Sequence, residues 1–250
     1  MGESFNKMAD IQEVMAKIRN HTELYAVMSM CTHMPFVYCD PESYDDEVFV
    51  YFDRNEAQQG TKCLLEQKNP IQLAKVDVKD RLAFFTSLYP MGVNAVSVNQ
   101  GLPDQITFQL NELIRRQDET QMPKGQIRVE NPELHLTSLY FSQELKKGPR
   151  HEKGLSEELN ALNEELIAHF KRGKYIVAVE EEKKIPVLQK DGMSYQPLFT
   201  DLREFQKFNK DKKFGAMIVE YENIVKLFAP KTEGVVLNPF GVDIVLKIAH

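Results

Sequence analysis

Apolar residues in the second half of the chain recur first with a helical period and then in short extended runs. Leu159, Leu162, Leu166 and Phe170 fall on one helical face, and Ser156 precedes them as a predicted N-cap. This spacing predicts an amphipathic helix that buries the apolar face.

Shorter elements are predicted after this helix. Residues 175–179 and 185–188 have strand composition, and the charged residues 180–184 between them are typical of a hairpin loop. Asp201 is a predicted N-cap for a short helix through Phe208. The pattern further predicts a strand over 214–219, a helix over 221–228, and two strands flanking residues 238–241.

The first half of the chain presents the same order of elements. The expected elements are a helix over 8–30, strands over 36–39 and 48–52, a helix over 53–67, a strand over 71–76, a helix over 82–88 and strands around residue 99. Asn99 follows Asp53 by 46 residues, as Asn238 follows Asp201 by 37 residues. The matching order predicts an internal duplication, and a single continuous α/β domain is the alternative.

The duplication sets the expected fold class and domain organisation. We expect an α+β protein of two similar modules, residues 1–115 and 131–250, each a small mixed β-sheet covered by helices. Residues 116–130 are polar and contain Pro123 and Gly125, which is typical of a linker.

Two short segments of the second half resemble a known family. The run 197–201 (Pro-Leu-Phe-Thr-Asp), a downstream helix, and the run 235–241 (Val-Val-Leu-Asn-Pro-Phe-Gly) are similar to the signature of the SseB N-terminal domain family, named for enhanced serine sensitivity. The first half departs from it, with Phe52 in place of Thr and Gln100 in place of Pro. The resemblance implies two tandem α+β copies in a bacterial cytoplasmic protein, and it supplies no catalytic residues.

Charge and hydropathy exclude several functional classes. The 250 residues carry 31 basic and 37 acidic groups, and the net charge of −6 resides in residues 1–125. A chain of this charge lacks the basic footprint of a nucleic-acid binder, and the lysines and phenylalanines of residues 205–214 are expected to form a helix end and a core face. No apolar run approaches the roughly 20 residues that span a bilayer. Three cysteines are too few for a disulfide framework, which favours a reducing cytoplasm.

Residues that bind metals or catalyse reactions are present without their usual spacing. Cys31, His33, Cys39 and Asp40 form only one irregular half of a structural zinc site, and Cys31 and Cys39 are instead expected to be buried thiols. No G-x-S-x-G, P-loop, G-x-G-x-x-G or H-E-x-x-H motif occurs. We therefore predict no catalytic residues, no cofactor and no metal, although residue types alone leave a Cys-His pair open. Four histidines are expected to be solvated, namely His135, His151, His169 and His250.

Five carboxylates within eight residues form an acidic segment, comprising Asp40, Glu42, Asp45, Asp46 and Glu47. The segment lacks the spacing and the glycine of a calcium loop. Tyr38 and Tyr44 add apolar area with a polar tip, which favours a protein-binding surface over a merely solvated loop. The candidate protein-binding residues are Asp40, Glu42, Tyr44, Asp45 and Asp46.

The Asn-Pro-Phe-Gly segment near the end of the chain predicts a tight structural turn. Asn238, Pro239 and Gly241 are the residues expected to form it, with Gly241 in a backbone conformation that is costly for other residues.

These observations together favour a non-catalytic protein-binding or adaptor module whose partner is another protein rather than nucleic acid or a membrane. A sensor that binds a small metabolite such as an amino acid in a cleft between the modules is the alternative. A hydrolase that uses the acidic segment is the weakest hypothesis.

Overall fold

The structure is a computed structural model that describes residues 2–116, 122–123, 127–147, 155–181 and 184–248. It has the predicted α+β class, with helices and mixed sheets. Contacts divide the chain into a first unit, Met1–Tyr89 with Val93–Gln117, and a second unit, Pro90–Gly92 with Asp118–His250. Most of the predicted linker lies outside the described residues, so the predicted module boundaries stay a prediction.

The first unit is built on one mixed sheet. Its helices are α1 (Gly2–Asn20), α2 (Arg54–Gly60), α3 (Lys62–Glu66), α4 (Arg81–Leu88) and α5 (Leu110–Leu113), with 3₁₀ turns at Val78–Asp80 and Tyr89–Met91. Its strands are β1 (Tyr25–Ser29), β2 (Val37–Cys39), β3 (Asp46–Tyr51), β4 (Ile71–Lys75), β5 (Ala95–Val98) and β6 (Ile106–Gln109). The strand order is β4-β1-β3-β5-β6, with β2 paired to β3, and only the β3–β5 pair is parallel.

The first helix is shorter than the sequence pattern predicts. We expected a helix over 8–30, whereas α1 ends at Asn20 and Tyr25–Ser29 forms β1. This strand pairs with β3 and with β4, and Val27 is fully buried between them and the covering helices. Hydrogen bonding of β1 to a strand on each side outweighs the local helical pattern, because the preference of a segment for strand structure depends on the sheet that surrounds it.

The second unit contains two small sheets. Its helices are α6 (Pro132–Lys147), α7 (Glu157–Phe170) and α8 (Leu202–Phe208), with 3₁₀ turns at Tyr221–Asn223 and Val225–Leu227 in place of the predicted helix over 221–228. Its strands are β7 (Lys174–Val179), β8 (Leu188–Lys190), β9 (Met193–Leu198), β10 (Gly215–Glu220), β11 (Thr232–Leu237) and β12 (Ile244–Lys247). One sheet has the order β12-β11-β9-β8 with β9 and β11 parallel, and the other pairs β10 with β7.

The predicted hairpin around residues 180–184 is wrong. β7 pairs with β10, and the next strand begins only at Leu188 and pairs with β9. The turn between β8 and β9 is Asp191-Gly192, whose φ angles of 50° and 77° fit a two-residue hairpin turn. An Asp-Gly pair is a stronger hairpin signal than a run of charged residues, and here it marks the hairpin that forms.

The N-caps of two helices are confirmed. The Ser156 hydroxyl accepts a hydrogen bond from the amide of Leu159 at the start of α7. The Asp201 carboxylate accepts bonds from the amides of Arg203 and Glu204 at the start of α8. These caps satisfy backbone donors that the first turn of a helix leaves unpaired.

Candidate functional site

The acidic residues predicted to bind a protein lie together on the loop between β2 and β3 and on the first residue of β3, Asp46. We call residues 40–46 the acidic loop. The Asp40 carboxylate accepts hydrogen bonds from the amides of Glu42 and Ser43, at 2.9 and 2.8 Å. These backbone bonds lower the pKa of Asp40. Tyr44 has a positive φ of 59° and is 77% exposed. The loop thus holds a tyrosine in the solvent by its own internal hydrogen bonds.

Two members of the acidic loop are tied to neighbouring strands. The Asp45 carboxylate accepts hydrogen bonds from Asn94 Nδ2 at 2.8 Å and from Gln109 Nε2 at 3.0 Å. The Asp46 amide donates to Asn94 Oδ1 at 2.7 Å. These bonds anchor the base of the loop. Of the five predicted binding residues, Glu42 and Tyr44 are the two with exposed side chains.

The fifth carboxylate of the acidic segment is not part of the solvated loop. Glu47 lies in β3 with only 3% of its surface exposed. Burial is the main cause that raises the pKa of Glu47. Together with the negative charges of Asp40 and Asp45, and against the lowering effect of a hydrogen bond with Thr107, it brings the pKa to about 7. The carboxyl group of Glu47, which follows the acidic loop, is therefore partly protonated near neutral pH.

The cysteines are less buried than expected. Cys31 is half-buried, whereas Cys39 and Cys63 are exposed, so the expectation of two buried thiols is wrong. All three are free of disulfide bonds. Among the described residues, no three His, Cys, Asp or Glu side chains come together as metal ligands.

The expectation of solvated histidines fails at one position. His135 lies on α6 with 1% of its surface exposed. His169 is partly exposed and its ring nitrogens lie 3.2 Å from carboxylate oxygens of Glu133 and Glu165. His151 and His250 lie outside the described residues. The neighbours Leu134 and Leu139 place His135 within the buried face of α6, a helical period that was available in the sequence.

His135 takes part in a buried polar network in the second unit. The Thr200 hydroxyl donates to Asp201 Oδ2 at 2.8 Å and accepts from Asn238 Nδ2 at 2.8 Å. The amide of Thr200 donates to Asn238 Oδ1 at 3.0 Å. His135 Nδ1 lies 3.3 Å from the Thr200 hydroxyl and 3.4 Å from Asp201 Oδ2. The network joins α6, the end of β9 and the turn after β11.

The network involves the predicted structural turn and corrects one part of that prediction. The residue with a left-handed backbone is Asn238, at φ 46°, whereas Gly241 is not among the residues with positive φ. The Gly241 amide donates to the Asn238 carbonyl at 2.8 Å and closes a tight turn around Pro239. Asparagine is one of the few non-glycine residues that enter this region at low cost. The structural role of Asn238, Pro239 and Gly241 stays a prediction.

A threonine, a histidine and an aspartate in contact do not make a nucleophilic site here. The Thr200 hydroxyl gives its proton to Asp201 rather than to His135, and the three side chains are at most 2% exposed. A nucleophile needs a base aligned to take its proton and a path for the substrate. The geometry instead suits a structural network, because the bonds of Thr200 with Asn238 and the contact of Asp201 with His135 link separate elements of the fold.

This network predicts how stability falls in acid. Burial acts to raise the pKa of Asp201, but its hydrogen bond and charge interaction with His135 and its bonds with Thr200 and Glu204 lower it overall. A carboxyl with a depressed folded pKa stabilises the protein above its unfolded pKa, and this stability is lost as pH falls through the folded value. We expect Asp201→Asn to flatten the decline of unfolding free energy between pH 5 and pH 3, measured by urea titration. An unchanged slope would contradict this role.

None of the described helices combines the length and the apolar character needed to cross a membrane.

Comparisons with known proteins add little about activity. No curated protein matches the chain. Among solved structures, "Tic22 from Plasmodium falciparum" is 11% identical with a TM-score of 0.21, covering 89% of this chain and 90% of that one. "Anabaena Tic22 (protein transport)" is 10% identical with a TM-score of 0.21, covering 90% and 91%. Scores this low support no argument. Residues 154–247, which hold α7 to β12, match the SseB protein N-terminal domain, in one copy.

Proposed function

We propose that this SseB-like chain is a non-catalytic protein-binding or adaptor module, acting in a bacterial cytoplasm, and that the acidic loop contacts a basic partner. The observation that carries the proposal is Tyr44, which is 77% exposed on a loop whose other members hold it in place. Tyrosine is enriched at the centres of protein interfaces, because its ring supplies apolar contact area and its hydroxyl group can form a hydrogen bond with the partner.

The construction of the loop favours binding. The carboxylates of Asp40 and Asp45 accept hydrogen bonds from other groups of the first unit, and these bonds limit the conformations of the loop. A loop ordered before binding loses less entropy when a partner arrives. Glu42 and Tyr44 would then contact the partner without a large change in the conformation of the loop.

Charge favours a partner of opposite sign. Residues 1–125 carry the net charge of −6, while the remainder is neutral overall. A surface of one sign accelerates the approach of a basic partner, and salt weakens this effect over a Debye length of about 8 Å at physiological ionic strength. The association rate should therefore fall as salt increases.

The bonding of two groups of polar residues supports a non-catalytic role. Within the ranges that the structure describes, the grouping of hydroxyl, imidazole and carboxylate at Thr200 is buried, and the Thr200 hydroxyl donates its proton to Asp201 rather than to His135. In the acidic loop, the carboxylates of Asp40 and Asp45 likewise accept hydrogen bonds from within the first unit. Neither arrangement leaves a base beside an open substrate position.

The test places a photo-crosslinking amino acid at residue 44 of the full chain in cells of its source organism. We expect one partner to be captured at this position and, once that partner is purified, we expect Tyr44→Ala to weaken its binding at least tenfold. This loss is typical of an aromatic residue at the centre of an interface. Glu42→Gln should slow association at low salt only.

The matched control is Phe240, an aromatic residue of the second unit that is 61% exposed. Phe240→Ala removes a similar apolar area and should leave the affinity unchanged. Equal crosslinking from positions 44 and 240, or a partner bound equally well by Tyr44→Ala, would overturn the proposal. Asp45 and Asp46 are poorer test positions, because Asp45 and the Asp46 backbone are tied to neighbouring strands.

The alternative of a sensor that binds a small metabolite such as an amino acid in a cleft between the modules stays a prediction.

A further inference from the structure

A pocket of about 280 Å³ opens in the first unit beside α1, α4 and α5. Its wall is mainly apolar and includes Val78, Leu82 and Leu113. Val78 and Leu82 are 53% and 68% exposed. The pocket therefore offers an apolar surface that water covers at a cost in free energy.

Arg81, the first residue of α4, lines this pocket and is 5% exposed. Its Nη1 donates to the carbonyl of Ile18 at 2.6 Å, whereas its Nε and Nη2 have no hydrogen-bond partner among the residues that the structure describes. Buried donors of a charged group are nearly always paired, since leaving them unpaired is costly. Two such donors on one side chain can bind an acceptor that the described residues do not supply.

The two unpaired donors lie on the same edge of the planar guanidinium group. The N–H of Nε and one N–H of Nη2 point in parallel, and this edge binds the two oxygens of a carboxylate in a bidentate manner. The single bond to Ile18 leaves that edge unused. The donor geometry thus selects a planar anion.

The charges around the pocket favour an anion with no cationic group. Arg19 also lines the pocket and donates to the carbonyl of Leu113 at 3.2 Å, and none of the lining residues within the described part of the chain is acidic. Burial lowers the pKa of Arg81, and the charge of Asp77 nearby partly restores it, yet a guanidinium remains charged at any physiological pH. The ammonium group of an amino acid would find two positive charges and no carboxylate in the wall.

We propose that this pocket binds a small monocarboxylate with an apolar body, the carboxylate paired with Nε and Nη2 of Arg81 and the hydrocarbon against Val78, Leu82 and Leu113. The volume of about 280 Å³ lies just below the usual range for small-molecule sites, about 300 to 1,000 Å³, and suits a chain of about eight carbons. The site shares no residue with the acidic loop, so this proposal and the proposed function stand or fall separately.

Calorimetric titration of the full chain with straight-chain carboxylates tests the assignment. We expect octanoate to bind with one-to-one stoichiometry, and we expect affinity to rise about fourfold for each CH₂ added from butanoate to octanoate. Octanamide, octylamine and leucine should each bind at least tenfold more weakly than octanoate. No saturable binding of octanoate, or tighter binding of leucine or octyl phosphate, would overturn the proposal.

Substitutions locate the binding to this pocket. Arg81→Lys keeps the charge but loses the parallel donors, and it should weaken octanoate binding at least tenfold. Because Arg81 is buried and this variant risks misfolding, Leu82→Asp provides a second test at an exposed rim position, with the same expected loss. Leu65→Asp is the matched control, since Leu65 is 54% exposed in the same unit and does not line the pocket.

Three outcomes of this series are decisive. Weaker binding in Leu82→Asp with unchanged binding in Leu65→Asp supports the pocket. Equal affinity in the two variants would show that octanoate adheres elsewhere and would overturn the assignment. Tyr44→Ala should bind octanoate like the unaltered chain, which separates this site from the acidic loop.

Discussion

Replacing Asn238 with alanine is expected to lower the free energy of unfolding by about 3 kcal/mol. Asn238 is fully buried, and its amide group makes two hydrogen bonds with Thr200. Alanine would leave the Thr200 amide without an acceptor, which costs about 1 to 3 kcal/mol in a buried site. The φ of 46° would add strain of about 1 kcal/mol, because alanine lacks the local hydrogen bonds that help asparagine adopt this conformation.

Asn238→Gly separates these two contributions. Glycine removes the side chain and its hydrogen bonds but accepts the left-handed backbone without strain. It should therefore be more stable than Asn238→Ala by about 1 kcal/mol and less stable than the unaltered chain by about 2 kcal/mol. Urea unfolding of the three proteins gives the comparison. If Asn238→Ala kept full stability, the turn would not be structural, and loss of partner binding in that variant would make it a binding site.

Local signals in the sequence were sufficient for several elements. Ser156 and Asp201 each precede an apolar period, and each caps the helix that was predicted after it. Capping is a local interaction between a side chain and the next few backbone amides, so residue type and spacing determine it. The α+β class followed from the alternation of such helices with short apolar runs.

Strand pairing was less accessible, because it depends on residues far apart in the chain. β7 pairs with β10 rather than with the next strand, and no feature of residues 180–184 indicates this. β1 carries a pattern compatible with a helix and becomes a strand because β3 and β4 flank it. Short apolar runs remain ambiguous until the sheet around them is known.

The candidate sites also divide into those that local sequence predicts and those that depend on distant contacts. The acidic loop was predictable because its carboxylates and its tyrosine are neighbours in the sequence. Arg81, His135 and Glu47 were not, because each is a polar side chain buried by distant elements. Such residues are expected on the surface from composition alone, and only packing reveals them. The periodic position of His135 on α6 was the one signal available.

Glu47→Gln is expected to stabilise the protein by about 3 kcal/mol at pH 8 and to have little effect near pH 4. The folded pKa of Glu47 is about 7, above the ordinary value of 4.5, chiefly because the carboxyl group is buried. Between these two values the folded state holds a proton that the unfolded state releases. The contribution of Glu47 to the free energy of unfolding of the unaltered chain therefore falls as pH rises from about 4.5 to 7. Above that range the free-energy cost of burying the charged carboxylate no longer changes with pH.

Glutamine resembles the protonated carboxyl group in size and is neutral at every pH, so it removes this cost. The measurement is the difference in unfolding free energy between Glu47→Gln and the unaltered chain, from urea titrations at pH 4, 6 and 8. Glu42→Gln is the control, because Glu42 is exposed in the neighbouring loop and its charge should change stability by less than about 0.5 kcal/mol. A gain that is the same at pH 4 and pH 8 would reflect packing, whereas no gain at pH 8 would mean that Glu47 ionises in the folded protein without penalty. Either result would contradict the proposed burial of its charge.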